Sequence, residues 1–276
     1  MHLPDISQII AQALKEDIGT GDVTTNLIVD KDQVANAEII AKSKGILAGC
    51  DIVRMVFKYL DPQIKIRFNL KDGEQFYAGQ IIAQITGKAH ALLSGERTAL
   101  NFLCRLSGIA SLTRKFVDVI SGTKAKILDT RKTTPLLRNL EKYAVRIGGG
   151  YNHRMGLYDM ILIKDNHIKV AGGIAQAIKK AQKNNKKNLP IEVETKNLKE
   201  VREALALKVP IIMLDNMNLK QIAQAVKLTK GKAKLEVSGG VNLKNVRKIA
   251  KTGVDYISVG SLTHSAPIVD MSIEFK

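Results

Sequence analysis

From about residue 125 to its end, the chain alternates short apolar runs with helix-like segments, and this rhythm limits the fold more than any other feature. The runs are AKILDT, DMILIKD, PIEVET, PIIMLDN, KLEVSGG and DYISVGS. A strand, helix, strand succession requires parallel pairing, because a tight turn cannot join parallel neighbours. Spacings of roughly 20 to 30 residues fit the βα units of a barrel or of a doubly wound sheet. A complete eight-unit barrel takes about 250 residues, and far fewer remain here, so any barrel is short or incomplete.

The ends of these runs favour the barrel. Asp129 and Arg131, Lys164 and Asp165, Glu194, Asp215, Ser238 with Gly239 and Gly240, and Gly260 with Ser261 all fall at carboxyl ends. Barrel enzymes gather their active sites at that rim, where side chains from different strands converge. Loop polarity alone does not place carboxylates at rim positions again and again.

Before this region the pattern differs. Ile6, Ile9, Ile10, Ala13 and Leu14 share one helical face that ends at Gly19. Strand-like runs AEIIAKS, QIKIRFN and IIAQITG follow, with a helical stretch near 50 to 60 and the turn KDGEQFYAGQ among them. They predict a small α+β domain. From about Ala91 to Ile120 the pattern is helical, with Gly95 and Gly108 as breaks or points of close packing.

Composition excludes several classes. The chain has 276 residues, 45% of them hydrophobic, enough for a substantial core. No apolar stretch approaches the roughly 18 to 20 residues of a membrane helix, and the opening MHLPDISQIIAQALKEDIG carries acids where a signal peptide carries an apolar core. These features predict a soluble cytoplasmic protein with no membrane partner. Cys50 and Cys104 fit no metal or redox spacing and read as buried thiols. The formal charge of +17 attracts polyanions or steers small anions into a cleft. Aromatics are only 4% and Trp is absent, so the platforms of a nucleic-acid binder are missing. The lysines of KKAQKNNKKN read as a solvated helix end.

Three motifs carry chemistry. KLEVSGGV and YISVGSLT put glycines after the last two visible strands, where bare backbone can approach a phosphate. In PIEVET the strand period puts Glu192 and Glu194 on one face, and Asp215 closes the next strand. Buried carboxylates need a partner; sugar hydroxyls, hydrated Mg²⁺ or nearby lysines each supply one. Arg131, His153, Arg154 and Lys164 flank strands or sit beside the GGG loop, whereas Arg138, Lys142 and Arg146 recur every fourth residue and read as one exposed helix face. Guanidinium groups bind carboxylates bidentately, at about 1.5 to 3 kcal/mol for each such contact.

Taken together, DTRKTTPLLRNLEKYAVRIGGGYNHRMGLYDMILIKDNH, with GERTALN before it and EVET, IMLDNM, LEVSGGV and YISVGSLTHSAP after it, closely resembles the quinolinate phosphoribosyltransferases, the carboxylating nicotinate-nucleotide pyrophosphorylases of NAD biosynthesis. The resemblance spans nearly the whole chain. It implies an α/β protein with an N-terminal α/β sandwich and linking helix over 1–110, then an incomplete TIM-like α/β barrel over 111–276, with the extreme C-terminus free to return to the first part. It implies a homodimer or higher assembly whose site is completed by Arg97 of a neighbouring subunit. Arg131, His153, Arg154 and Lys164 would take the carboxylates of quinolinate, with Lys132 where the two substrates meet. Glu194 and Asp215 would hold the ribose hydroxyls and Mg²⁺ of phosphoribosyl pyrophosphate, Glu194 being preferred to Glu192 as nearer the rim. Ser238, Gly239, Gly260 and Ser261 would take its 5′-phosphate. Two rivals are a phosphoribosyltransferase for nicotinate or a related base that releases no CO₂, and, more distantly, a basic nucleic-acid-binding protein.

Overall fold

The structure, a computed structural model, describes residues 6–276; the first five residues of the opening stretch lie outside the described residues. Its contacts divide the chain into two compact units. One holds the residues up to Arg114 together with 134–149 and 265–276, and the other holds 115–133 and 150–264.

In chain order the strands are β1 (Val34–Ala41), β2 (Gly45–Ile46), β3 (Lys65–Phe68), β4 (Gln75–Phe76), β5 (Ile81–Lys88) and β6 (Lys126–Leu128). They continue as β7 (Ile161–Ile163), β8 (Ile191–Thr195), β9 (Ile211–Asp215), β10 (Lys234–Ser238), β11 (Tyr256–Ser258) and β12 (Met271–Phe275).

The first unit is built on an antiparallel sheet of order β12-β1-β5-β3, so the last strand of the chain pairs with its first. The helix Cys50–Leu60 buries Ile52, Val53, Val56 and Phe57 completely. The helix Ala89–Val119 runs unbroken through both of its suspected break points. Gly95 and Gly108 are packing points instead: a Cβ on Gly108 would stand 2.1 Å from the Pro267 carbonyl oxygen, and one on Gly95 3.0 Å from the Phe57 ring. The helix Arg138–Ile147 corrects one expectation. Arg146 is exposed, but Lys142 is only 1% exposed. Four-residue spacing defines a helix face, and tertiary packing decides whether that face meets water.

The second unit is a six-stranded parallel sheet, order β6-β11-β10-β9-β8-β7, with helices in the connections. Of the barrel and the doubly wound sheet that the strand spacing allows, this is the incomplete barrel that the strand-end residues favour. Strand period separates its two faces. Val193, Ile212, Leu214, Val237 and Ile257 are at most 2% exposed, and each such aliphatic side chain stabilises the fold by roughly 1.5 to 3 kcal/mol. Their neighbours Glu194, Met213, Asp215, Glu236, Ser238 and Ser258 line a cavity on the opposite face. Helix starts close behind the strands are fixed by side-chain caps. Asn197 accepts from the Glu200 N–H, and Asn218 with Gln221 forms a reciprocal capping box.

Candidate active site

The cavity of the second unit has a volume of about 780 Å³. It receives residues from every strand end of the sheet: Thr130, Arg131 and Lys132 after β6, Lys164 and His167 after β7, Glu194 from β8, Asp215 and Asn216 from β9, Ser238 to Val241 from β10, and Ser258 to Ser261 from β11. His153 and Arg154 enter from the loop before β7.

The cations come first, because none is paired with a carboxylate. Arg131 buries its Nε with no hydrogen bond. Burial lowers the Arg154 pKa, and the neighbouring Arg131 guanidinium lowers it further. Among the described residues no ion pair joins Arg131, Lys132, Arg154 or Lys164 to a carboxylate. Two guanidinium groups held close without a counter-ion create a site for an anion. Local bonds hold this arrangement. Asp129, fully buried at the end of β6, accepts from the His153 N–H at 2.8 Å and from Asn152 Nδ2 at 2.5 Å. Arg154 Nη1 donates to the Met160 carbonyl at 3.2 Å, and Thr263 Oγ1 donates to the Lys132 carbonyl at 2.7 Å.

The rim carboxylates form a second group. Burial raises the Glu194 pKa, and the nearby Asp215 and Asp165 carboxylates raise it further. A cation or a set of hydroxyls between Glu194 and Asp215 relieves that repulsion, and two hard oxygen donors suit Mg²⁺. Asn216 Nδ2 donates to Asp215 at 3.0 Å.

The glycines form the third. Gly239 has φ +94°, and a Cβ there would lie 2.1 Å from Asn216 Oδ1, so a larger residue would be strained and would have to displace the Asn216 side chain. At Gly260 an added Cβ would lie 3.2 Å from both Lys132 Cδ and His264 Nε2. The bare backbone therefore lets the lysine stem lie across the loop after β11. Ser261 begins the short helix Ser261–His264.

Deepest lies a cluster only partly legible in the sequence. His153 Nε2 is 2.9 Å from Glu192 and 3.6 Å from Glu236. Burial pushes both carboxyls up, Glu192 to about 7 and Glu236 to about 8, and the Glu192 charge adds to the shift at Glu236. Glu236 is a residue the sequence reading does not single out; its period-two relation to Ser238 is the signal that points to it. His167 and His264 also line the cavity without any periodic mark, and His167 Nδ1 accepts the Lys164 N–H at 2.9 Å. Asp165 instead pairs with Lys196 at 3.1 Å. Arg97 belongs to the first unit and is exposed on its helix.

Comparison with known proteins agrees with this fold. The quinolinate phosphoribosyl transferase N-terminal domain matches residues 22–107, and the C-terminal domain of the same family matches residues 109–274. A Bacillus subtilis protein described as a probable carboxylating nicotinate-nucleotide pyrophosphorylase is 47% identical, over 99% of this chain and 94% of its own length. The chloroplastic carboxylating nicotinate-nucleotide pyrophosphorylase of Arabidopsis thaliana is 43% identical over 98% of this chain and 82% of its own. The crystal structure of NadC from Streptococcus pyogenes superposes with a TM-score of 0.96 at 41% identity, covering 100% of this chain and 98% of the other. With both domains matched in order and the cavity set within the second, the chain belongs to the quinolinate phosphoribosyl transferase family.

Proposed function

We propose that this protein transfers the phosphoribosyl group of phosphoribosyl pyrophosphate to quinolinate with loss of CO₂, giving nicotinate mononucleotide and pyrophosphate. The observation that carries this reading is one cavity joining a cluster of cations without protein counter-ions to a rim carboxylate pair and a glycine-lined loop. Quinolinate brings two carboxylates for Arg131, Arg154 and Lys164, with His153 alongside. Glu194 and Asp215 face the ribose hydroxyls and the Mg²⁺ that enters with phosphoribosyl pyrophosphate. Ser238, Gly239, Gly260 and Ser261 receive the 5′-phosphate, and Lys132 lies where the substrates meet. A second copy of the chain supplies the exposed Arg97 and completes the site in a homodimer or larger ring. Two free, buried thiols suit a reducing compartment such as the cytoplasm.

The chemistry asks for charge complementarity rather than a protein nucleophile. As pyrophosphate departs, positive charge grows at the ribose C1 and ring oxygen, and the two rim carboxylates stabilise it. The pyridine nitrogen attacks C1. Only then is that nitrogen cationic and able to stabilise the electron pair left by the departing carboxylate, so transfer precedes decarboxylation. The protein contributes orientation and exclusion of water.

Arg131→Ala tests the anion pocket. Quinolinate affinity is expected to fall roughly 10- to 100-fold, the loss of one charge-assisted contact, while phosphoribosyl pyrophosphate still binds. Unchanged quinolinate affinity by calorimetry removes the pocket assignment. For the shared site, mixed Arg97→Ala and Glu194→Ala subunits are expected to regain part of the activity each lacks. No recovery after demonstrated subunit exchange refutes it. The non-decarboxylating rival has less support, because a monocarboxylate leaves some of these cations unpaired.

A further inference from the structure

The decarboxylation consumes one proton, and neither the cations nor the rim carboxylates supply it. When the carboxylate next to the pyridinium nitrogen leaves as CO₂, the C–C electron pair stays on the ring carbon, which must then form a C–H bond.

The deep cluster offers a source. Ligand atoms of His153, Glu192 and Glu236 all lie within 4.8 Å of one another, and the side chains are 8%, 0% and 2% exposed. Glu192 stands on β8 and Glu236 on β10, either side of β9. Glu236, with its side chain 2% exposed, is dry enough to hold its proton. The imidazole is poorly placed to give one up: Nδ1 accepts the Arg154 N–H at 2.7 Å, and Nε2 faces Glu192. Of the two carboxyls only Glu236 lines the cavity. It is hydrogen-bonded to Ser258, whose side chain faces the same space. The protonated Glu236 carboxyl is within hydrogen-bonding reach of Glu192 as well. The titratable groups around Glu236 are Glu192 from β8, His153 from the loop before β7, and Tyr256, level with it on β11; β9 presents Met213.

We propose that the Glu236 carboxyl donates the proton to the ring carbon from which CO₂ departs. The C–C bond breaks, its electron pair takes the Glu236 proton, and Glu236 remains as a carboxylate bonded to Ser258. Solvent returns the proton after product leaves, so one proton is consumed per CO₂ formed. This rests on the reaction assigned above.

The test is Glu236→Gln, which keeps shape and hydrogen bonding but holds no acidic proton. A general acid typically contributes on the order of 100-fold or more. The variant is expected to lose about that much of kcat with KM for both substrates unchanged, and to accumulate the N-ribosylated dicarboxylate in a single-turnover quench. Glu236→Asp, which restores a carboxyl, is expected to recover part of the rate and to stop the accumulation. Wild-type kcat in Glu236→Gln overturns the proposal. Loss of quinolinate binding in that variant also overturns it, because the residue then serves the pocket's structure. If the wild-type protein itself forms no mononucleotide from quinolinate and phosphoribosyl pyrophosphate, the assigned reaction and this step fall together.

Discussion

Two glutamates, one in each unit, are equally hidden from water and serve opposite ends. Glu141 in the first unit and Glu192 in the second are both 0% exposed. Glu141 is saturated. It accepts from Arg105 at 2.7 and 3.3 Å, from the Thr134 N–H at 3.1 Å and from Thr134 Oγ1 at 2.8 Å. Glu192 meets His153 at 2.9 Å, leaves Oε1 without a partner, and shares its surroundings with a second acid. A satisfied buried charge holds two segments in register, whereas an unsatisfied one costs stability and persists where chemistry uses it. Burial alone therefore does not distinguish structure from function; the count of partners does.

The comparison breaks most visibly under substitution. Glu141→Ala removes the carboxylate that Arg105 pairs with and is expected to destabilise the protein by about 3 kcal/mol, the low end for breaking a buried pair because Arg105 keeps 27% of its side chain exposed. Urea denaturation measures this. A loss within experimental error would make the saturated carboxylate no more structural than the orphaned one. Glu192→Gln is expected to cost far less, since it removes a charge that burial already penalises.

The dependence on pH sharpens the contrast further. Glu236 rises from 4.5 to about 8 in the folded protein, chiefly through burial and then through the Glu192 charge. Between those values the folded chain keeps a proton that the unfolded chain has released. Stability from this group is whole below about pH 4.5 and declines as pH climbs through the window. Melting temperature measured from pH 5 to 9 is expected to fall more steeply in the wild-type protein than in Glu236→Gln. Parallel curves would show that the deep pair ionises normally.

How much of this could be read beforehand differs between the same two regions. The parallel strands and their rim residues were legible because period two and strand ends fix where side chains point, and Glu194, Asp215 and Ser238 all line the cavity. Gly239 was legible as a close approach, although only the structure shows Asn216 filling the space of its missing side chain. Glu236 was hidden inside an apolar run, and nothing local reveals that His153 and Glu192, distant in sequence, converge on it. Burial of Lys142 was equally beyond reach, because spacing along a helix says nothing of what covers it. Arg97 carries no local signal at all; only resemblance to the family singles it out.

The central claim is the decarboxylating transfer, and release of labelled CO₂ tests it most directly. Quinolinate labelled in the carboxyl beside the ring nitrogen, supplied with phosphoribosyl pyrophosphate and Mg²⁺, is expected to yield one labelled CO₂ for each nicotinate mononucleotide formed. Mononucleotide formation from nicotinate, with no labelled CO₂ from quinolinate, would contradict it.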